Sequence, residues 1–383
     1  MAPPTNKQIK VTIAGLEPNN KNTAAYNRFE ANIKMVKASF DCNVILAKRG
    51  NTKSRIYNGF IGRLHFFRSL ARLAKESDGR QYKHILYLRY IDHFCCLAAW
   101  LMLKNKGVGF ARERNEYPSV FIERKNKLAL FIYKYLVMSW SFRFFDVFFC
   151  ISNDLIEFYQ KYTKKNCVMQ KLPMTVDFSR FNGVEKLECR PYVFYAGSLS
   201  ESKDGVESLI HAFYHVSKAH SDLCLKIAGG PKDGSQAQKL HRIINEYQIG
   251  EKVQLLGLID RQHIAKYLCS AKIVVLARPD SLQARGGFPT KLGEYMASSN
   301  PVIVTRVGEV PQYLSKDQVF FISPHNIQNE LMAKLQYILA NYDQAKQIAH
   351  NGKLAARKYF SVESNQKYIK NALEMLFKSE YES

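Results

Sequence analysis

Between Gly287 and Thr305 the chain reads GFPTKLGEYMASSNPVIVT, and Glu294 is the one acidic residue in it. Leu292, Tyr295 and Met296 fall at i, i+3 and i+4, which predicts a short helix with that face on a core. Pro289 suits the first turn of such a helix, where its missing N–H leaves no bond unmade. Pro301 and the run Val302–Thr305 restart the chain as a strand. Glu294 lies between the apolar positions, so it is partly covered, and a covered carboxylate needs hydrogen-bond donors. Two hydroxyls of a ribose would serve both oxygens. A surface pair with Lys291, three residues earlier, is the other reading, and the residues alone leave both open.

A second stretch, YAGSLSESKDG, sets Gly197 and Ser198 just after a buried run, with Lys203 close to the next helix start. Glycine lets backbone amides approach a ligand, and a helix N-terminus with an ammonium suits a phosphate. Taken alone the stretch fits a plain turn equally well. GGFPTK, residues 286–291, offers a second turn of the same kind, with Arg285 and Lys291 as neighbouring cations.

Other chemistries lack their motifs. No GxxxxGK[ST] loop occurs, and GGPKDG at Gly229–Gly234 lacks the required ending. No GxGxxG follows the first strand, no HExxH occurs, and no two Asp stand two apart, so no metal site is expected. The eight cysteines form no CxxC pair, which fits thiols in a reducing compartment. The N-terminus has no apolar stretch of the secretory kind.

In the first half, ARERNEYPSV ends a strand in charged residues. Glu113, Arg114 and Glu116 are candidates to touch an acceptor or a transferred group, with a solvated surface cluster as the alternative. Gly15 closes the first strand, and Asn19, Asn20 and Asn22 follow in its loop as candidate acceptor contacts.

The elements that hold these residues alternate. Strand-like runs begin at IKVTIAG and continue with CNVILAK, HILYLRY, VGFARER and DVFFCIS; YVFYAG opens a second set with LCLKIAGG, VQLLG, IVVLARP, PVIVT and VFFIS. They are continuous apolar runs separated by helical patterns, the mark of parallel sheets covered on both faces. The expected fold is therefore α/β, two doubly wound Rossmann-like domains, with functional loops at the carboxyl ends of the strands. Asn51–Arg63 reads as a polar, Arg-rich segment, and Asn182–Pro191 as a linker. Leu128–Ile151 is the most membrane-like stretch, but Lys134, Arg143 and Asp146 interrupt the roughly 20 apolar residues a span needs. It is expected to be a core helix to about Phe142 and then a strand; a helix lying on a membrane surface is the second reading.

Charge is unevenly placed. Residues 1–180 hold 31 Lys+Arg and 13 Asp+Glu, while the rest hold 25 and 20, within a net charge of +23. A basic, aromatic half suits an anionic membrane, an anionic substrate or nucleic acid.

From about Tyr192 to Leu314 the order of these motifs resembles the donor-binding domain of glycosyltransferase family 4, of the GT-B fold. The likeness is carried by GSLSESKDGVESLIHAF, KIAGGPKDG, VQLLGLID and the block from Gly287 to Glu309, and more weakly by ISNDLIEFYQKY, PMTVDFSRF and YFSVESNQKYIKNALEML. The resemblance implies an acceptor-binding domain at 1–182, a nucleotide-sugar domain at 183–360, and a C-terminal helix at 361–383 returning to the first, the domains facing a cleft. It implies an enzyme of the hexosyltransferase type, retaining and metal-independent. Its donor would be a nucleoside-diphosphate sugar, UDP in preference to GDP, with no cofactor.

By the same resemblance Glu294 matches the second Glu of the family's Glu-x7-Glu motif and holds the ribose. Lys203 neutralises the diphosphate and so shares in catalysis. The amides around Phe288, Pro289 and Thr290 cradle phosphates, and Leu258 and Ile259 contact the base. Two positions depart: Gly286 replaces the first Glu of the motif, and Ser198 replaces the usual Arg. The implied partners are a glycan or lipid-linked acceptor and an anionic membrane surface, with no specific nucleic acid. The setting is the cytoplasm, at the inner face of the plasma membrane, in bacterial surface polysaccharide assembly. A sugar-nucleotide epimerase on this fold and a basic scaffold are the competing classes.

Overall fold

Short, continuously apolar strands need cover on both faces, and helices supply it in each half of the chain. The computed structural model describes residues 9–17, 24–48, 55–76, 83–118, 121, 127–231 and 234–378. It divides into unit 1 (Met1–Lys21, Phe29–Pro173 and Asn365–Ser383) and unit 2 (Asn22–Arg28 and Met174–Ser364).

Unit 1 holds a six-stranded parallel sheet in the order β2-β1-β3-β4-β5-β6. Its strands are β1 (Ile9–Leu16), β2 (Asp41–Ala47), β3 (Lys83–Arg89), β4 (Val108–Arg114), β5 (Val147–Cys150) and β6 (Val168–Lys171). Its helices are α1 (Ala24–Ser39), α2 (Arg55–Glu76), α3 (His93–Leu103), α4 (Lys127–Ile132) and α5 (Asn153–Tyr159). Strand order reverses at β1, so the carboxyl ends of β1 and β3 flank the switch point. Gly15 and Arg89 face each other there in register, and a Cβ on Gly15 would collide with the Arg89 carbonyl oxygen. The missing side chain is thus a packing requirement between the two strands.

Three expectations change in this unit. The Arg-rich segment from Asn51 becomes helical at Arg55, because Phe66, Leu70 and Leu73 give α2 a buried face. A sixth strand, β6, was not foreseen; its four residues are all half-buried, so it lacks the apolar run that marks its neighbours. The third change concerns Leu128–Phe142. α4 runs on through a π-helical turn, Tyr133–Met138, and a last turn, Ser139–Ser141. Met138 and Phe142 are buried, yet Leu128, Phe131, Leu136 and Trp140 are exposed. It is a surface helix with an apolar outer face, not a core helix.

Unit 2 holds a second parallel sheet, ordered β12-β11-β10-β7-β8-β9. Its strands are β7 (Tyr192–Ala196), β8 (Cys224–Ala228), β9 (Val253–Gly257), β10 (Ile273–Leu276), β11 (Val302–Thr305) and β12 (Phe320–Ile322). The helices are α6 (Glu201–Asp204), α7 (Val206–Ser217), α8 (Ser235–Glu246), α9 (Arg261–Ser270), α10 (Leu282–Gly286), α11 (Lys291–Ala297), α12 (Val310–Tyr313), α13 (Ile327–Ala340), α14 (Tyr342–Phe360) and α15 (Val362–Lys378). The segment Asn182–Pro191 lies inside this unit.

α7 shows why the sequence folds this way. Val206, Leu209, Ile210, Phe213 and Val216 repeat at helical spacing and are all buried. Gly205, with a φ of +66°, ends α6 and begins α7. Order reverses at β7, so the loops after β7 and β10 flank this unit's switch point. From Asn365 onward α15 belongs to unit 1, where Gln366 Nε2 donates to Ser39 Oγ at 3.0 Å.

Candidate active site

At the switch point of unit 2 three strand ends are stitched by backbone bonds. Gly197 N–H donates to Ala228 O, and Gly229 N–H to Gly257 O, both at 2.8 Å. Tyr295 reaches across from α11: its hydroxyl donates to Ala196 O at 2.8 Å and accepts from Ala196 N–H at 2.9 Å. The start of α11 is thereby fixed beside the Gly197 loop.

A cluster of charge sits at that point. Asp204 is buried, with Lys291 Nζ 2.5 Å and Arg278 Nη2 3.2 Å from its two carboxylate oxygens. The Tyr195 hydroxyl lies 2.8 Å from Asp204 Oδ2 and 2.6 Å from Ser198 O, and donates to one at a time. Burial alone would raise the Asp204 carboxyl; Lys291 and Arg278 outweigh it and hold it at about 2. Burial pulls the Lys291 ammonium down, and Asp204 opposes that. A Cβ on Gly197 would collide with Lys291 Nζ, so the glycine is what admits the ammonium. Lys203 is half-exposed and lies close enough to lower Lys291 further. Among the described residues its ammonium has no hydrogen-bond or ion-pair partner. Ser198 Oγ accepts from Ser200 N–H at 3.4 Å.

Glu294, on α11, is buried, and Arg180 Nη1 donates to its Oε1 at 2.5 Å. Arg180 comes from the 3₁₀ turn Phe178–Phe181 and is steadied by the Arg261 carbonyl at 3.0 Å. Gly293 allows the approach: a Cβ there would clash with Val176 and Met174, just before that turn. The expected ribose contact thus meets a carboxylate with one oxygen already hydrogen-bonded. Oε1 accepts from this guanidinium and from Asn27 Nδ2 at 2.6 Å, and Oε2 carries no protein donor among the described residues. The alternative pair with Lys291 is also absent, since Lys291 is held by Asp204.

The second turn is built around buried side chains. Ser281 Oγ caps α10 by accepting Ala284 N–H at 3.1 Å. Gly286, Gly287 and Pro289 are buried, and Phe288 is set edge-on against Phe360 and Tyr313, at 5.3 and 5.7 Å. Gly287 N–H donates to Gln283 O. The N–H groups of Phe288 and Thr290 meet no acceptor among the described residues. Arg285 forms an exposed fork on Asp280, at 2.8 and 2.7 Å. Leu258 stands exposed just past Gly257, with Ile259 half-buried behind it.

In unit 1 the candidates separate. Glu113 is buried, and its Oε2 accepts from Tyr87 at 2.8 Å, Asn32 at 2.5 Å and Arg89. Arg114 is half-buried, with its guanidinium over Phe142 at 5.5 Å. Glu116 is exposed, and its carbonyl accepts from Tyr159. Asn19, Asn20 and Asn22 lie outside the described residues.

Asp204, Arg278, Tyr195 and Arg180 were missed as site residues. Asp204 carried a signal, an acid beside Lys203 and before a glycine; Arg180 carried none.

Residues 179–355, within unit 2, match the model of the family described as glycosyl transferases, group 1. An uncharacterized glycosyltransferase of Methanocaldococcus jannaschii is 25% identical over 155 residues, 40% of each chain. An MMP α-(1→4)-mannosyltransferase of Mycolicibacterium hassiacum is 25% identical over 195 residues, 50% of this chain and 45% of the relative. This chain thus spans less than half the length of these curated relatives. Among solved structures, sucrose-phosphate synthase from Thermosynechococcus elongatus superposes with a TM-score of 0.71 at 16% identity, covering 97% of this chain and all of that one. HepE from Anabaena, in complex with UDP, gives 0.67 at 13% identity, covering 96% and 100%. These likenesses are of fold: two Rossmann-like units of the GT-B type.

Proposed function

We propose that the chain is a retaining glycosyltransferase of the family 4 kind. It moves a sugar from a nucleoside-diphosphate donor, UDP in preference to GDP, to a glycan or lipid-linked acceptor. The observation that carries this is the charge cluster at the end of β7. Lys291 and Arg278 pair with one carboxylate, Asp204, and Lys203 stands near Lys291, which leaves an excess of two positive charges beside the Gly197 loop. A diphosphate needs that charge.

As the bond from the anomeric carbon to the diphosphate oxygen breaks, negative charge grows on the leaving group. Lys291, pinned by Asp204, and Lys203 beside it stabilise that charge. The free N–H groups of Phe288 and Thr290 add donors. Glu294 accepts a ribose hydroxyl through Oε2, and Leu258 offers an apolar edge to the base. No step requires a metal. The acceptor falls to unit 1, with Gly15, Glu113, Arg114 and Glu116 as candidate contacts. The enzyme works in the cytoplasm at the inner membrane face, in bacterial surface polysaccharide assembly. HepE was crystallised with UDP, and the M. hassiacum relative is named a mannosyltransferase, which supports the donor class.

The test is thermal stabilisation by UDP-, GDP- and ADP-sugars. A donor at about a hundred times its Kd stabilises by roughly 2.7 kcal/mol, and Glu294→Ala removes the shift while the melting stays cooperative. No shift with any donor at such excess sinks the reading.

A further inference from the structure

We propose that the outer face of α2, α3 and α4 in unit 1 is a docking surface for an anionic phospholipid bilayer. The proposal does not rest on the donor site, since every residue it uses lies in unit 1. Along α4 and its continuation, Leu128, Phe131, Ile132, Tyr135, Leu136 and Trp140 are each between 43% and 66% exposed. The π turn widens the helical repeat and brings Phe131, Tyr135 or Leu136, and Trp140 onto one face. Met138 and Ser141 turn inward from the same helix. An apolar stripe at helical spacing ordinarily meets a core; this one meets solvent.

The stripe is not isolated. α3 adds exposed Phe94 and Leu101, and α2 adds exposed Phe60. The Phe67 and Phe94 rings, 6.4 Å apart, join α2 to α3. His93 joins α3 to α4 through Tyr133 at 2.9 Å and Ser141 at 2.8 Å. Exposed apolar surface of this extent marks an interaction site.

Charge selects the occupant. α2 carries five Lys+Arg and one acid, Glu76; α3 carries no charge; α4 through Ser141 carries Lys127 and Lys134 and no acid. Arg68 and Arg72 are exposed on α2, and Arg143 is exposed just past the last turn. Asp92, before α3, is tied to Arg63 at 2.7 Å. Among the described residues, an apolar face with aromatic residues and a rim of cations almost without acids matches the headgroup zone of an anionic membrane. Among the described residues no helix is long and apolar enough to cross a membrane, so the contact lies on the surface.

The chain has two tryptophans, and Trp140 is the one on this stripe. A Trp100→Phe background isolates its fluorescence. Mixed with phosphatidylcholine vesicles containing phosphatidylglycerol, the protein should sediment with them and Trp140 emission should shift to the blue. Pure phosphatidylcholine and raised salt should weaken both. Phe131→Ser with Leu136→Ser should cut binding at least tenfold, and Arg68→Glu with Arg72→Glu should cut it at low salt. All four positions are outside the core, so thermal melting should be unchanged. The proposal is overturned if mixed vesicles do not sediment the protein at low salt, if neither pair changes binding, or if binding leaves Trp140 emission unmoved. It is equally overturned if sedimentation equilibrium finds a dimer that the Phe131/Leu136 pair converts to monomer, since a second copy then covers the face.

Discussion

Lys291 Nζ sits 2.5 Å from Asp204 Oδ2, in the space that a side chain on Gly197 would fill. Three positions from three loops therefore depend on one another, and two glycines near them should behave differently. Gly197→Ala displaces only the tip of a flexible lysine and the Tyr195 hydroxyl. The fold should lose about 1 kcal/mol, while the Kd for UDP rises tenfold or more. Gly205→Ala forces a left-handed φ of +66° on a residue whose Cβ would strike the Ala277 carbonyl. That should cost about 3 kcal/mol. Thermal melting and calorimetric titration with UDP separate the two; a Gly197→Ala protein with unaltered UDP affinity would show that Lys291 does not meet the donor.

Asp204 should also shape the acid limb of stability. Its folded pKa of about 2 lies below the ordinary 3.8, so the unfolded chain binds its proton first. Its contribution is complete above about pH 4 and is lost as pH falls toward 2. With about 1.4 kcal/mol per pH unit, roughly 2 kcal/mol is at stake. Asp204→Asn should be destabilised by about 3 kcal/mol at neutral pH, and its stability should fall less steeply between pH 4 and 2. Urea melts across that range decide it: an unchanged slope in the variant contradicts the assignment.

Much of this was legible beforehand because it is local. Continuous apolar runs gave parallel strands, and Leu292, Tyr295 and Met296 placed Glu294 on a helix. Its partner was not legible, because Arg180 lies 114 residues earlier and meets it only through the packing of Gly293 on Val176. Lys203 stood out as the cation of its loop, whereas the acid next to it is the residue that turns inward, where Gly205 breaks the helix. Periodicity in Leu128–Trp140 identified an apolar side correctly. It carries no information on whether that side is covered, and here it is not.

The Arg180–Glu294 pair predicts a measurable coupling. Arg180 frees no extra oxygen for the donor; it orients the carboxylate, with Asn27 donating to the same Oε1. Glu294→Gln should weaken UDP-sugar binding strongly, and Arg180→Met about tenfold. The double variant should fall short of the sum by about 1–3 kcal/mol. Additive losses, measured in one double-mutant cycle of Kd values, would mean that the two side chains act separately.

His93 makes a prediction for unit 1. It joins α3 to the end of α4 through Tyr133 and Ser141. Burial, then the Arg112 and Arg114 guanidiniums, lower its pKa to about 3, with Asp92 acting weakly the other way. The folded protein thus keeps His93 neutral, while the unfolded chain takes up a proton below about pH 6.5. The unfolded state binds more protons between these values, so stability must rise with pH there and fall as pH drops from about 6.5 toward 3. A glutamine can replace both ring hydrogen bonds without titrating. His93→Gln should therefore be close to wild type near pH 8 and relatively more stable near pH 5, by more than 1 kcal/mol on the order expected for a shift of over one unit. Chemical denaturation at the two pH values is the check. A variant that runs parallel to wild type at both would place the histidine's titration in the ordinary range and remove this acid sensitivity from unit 1.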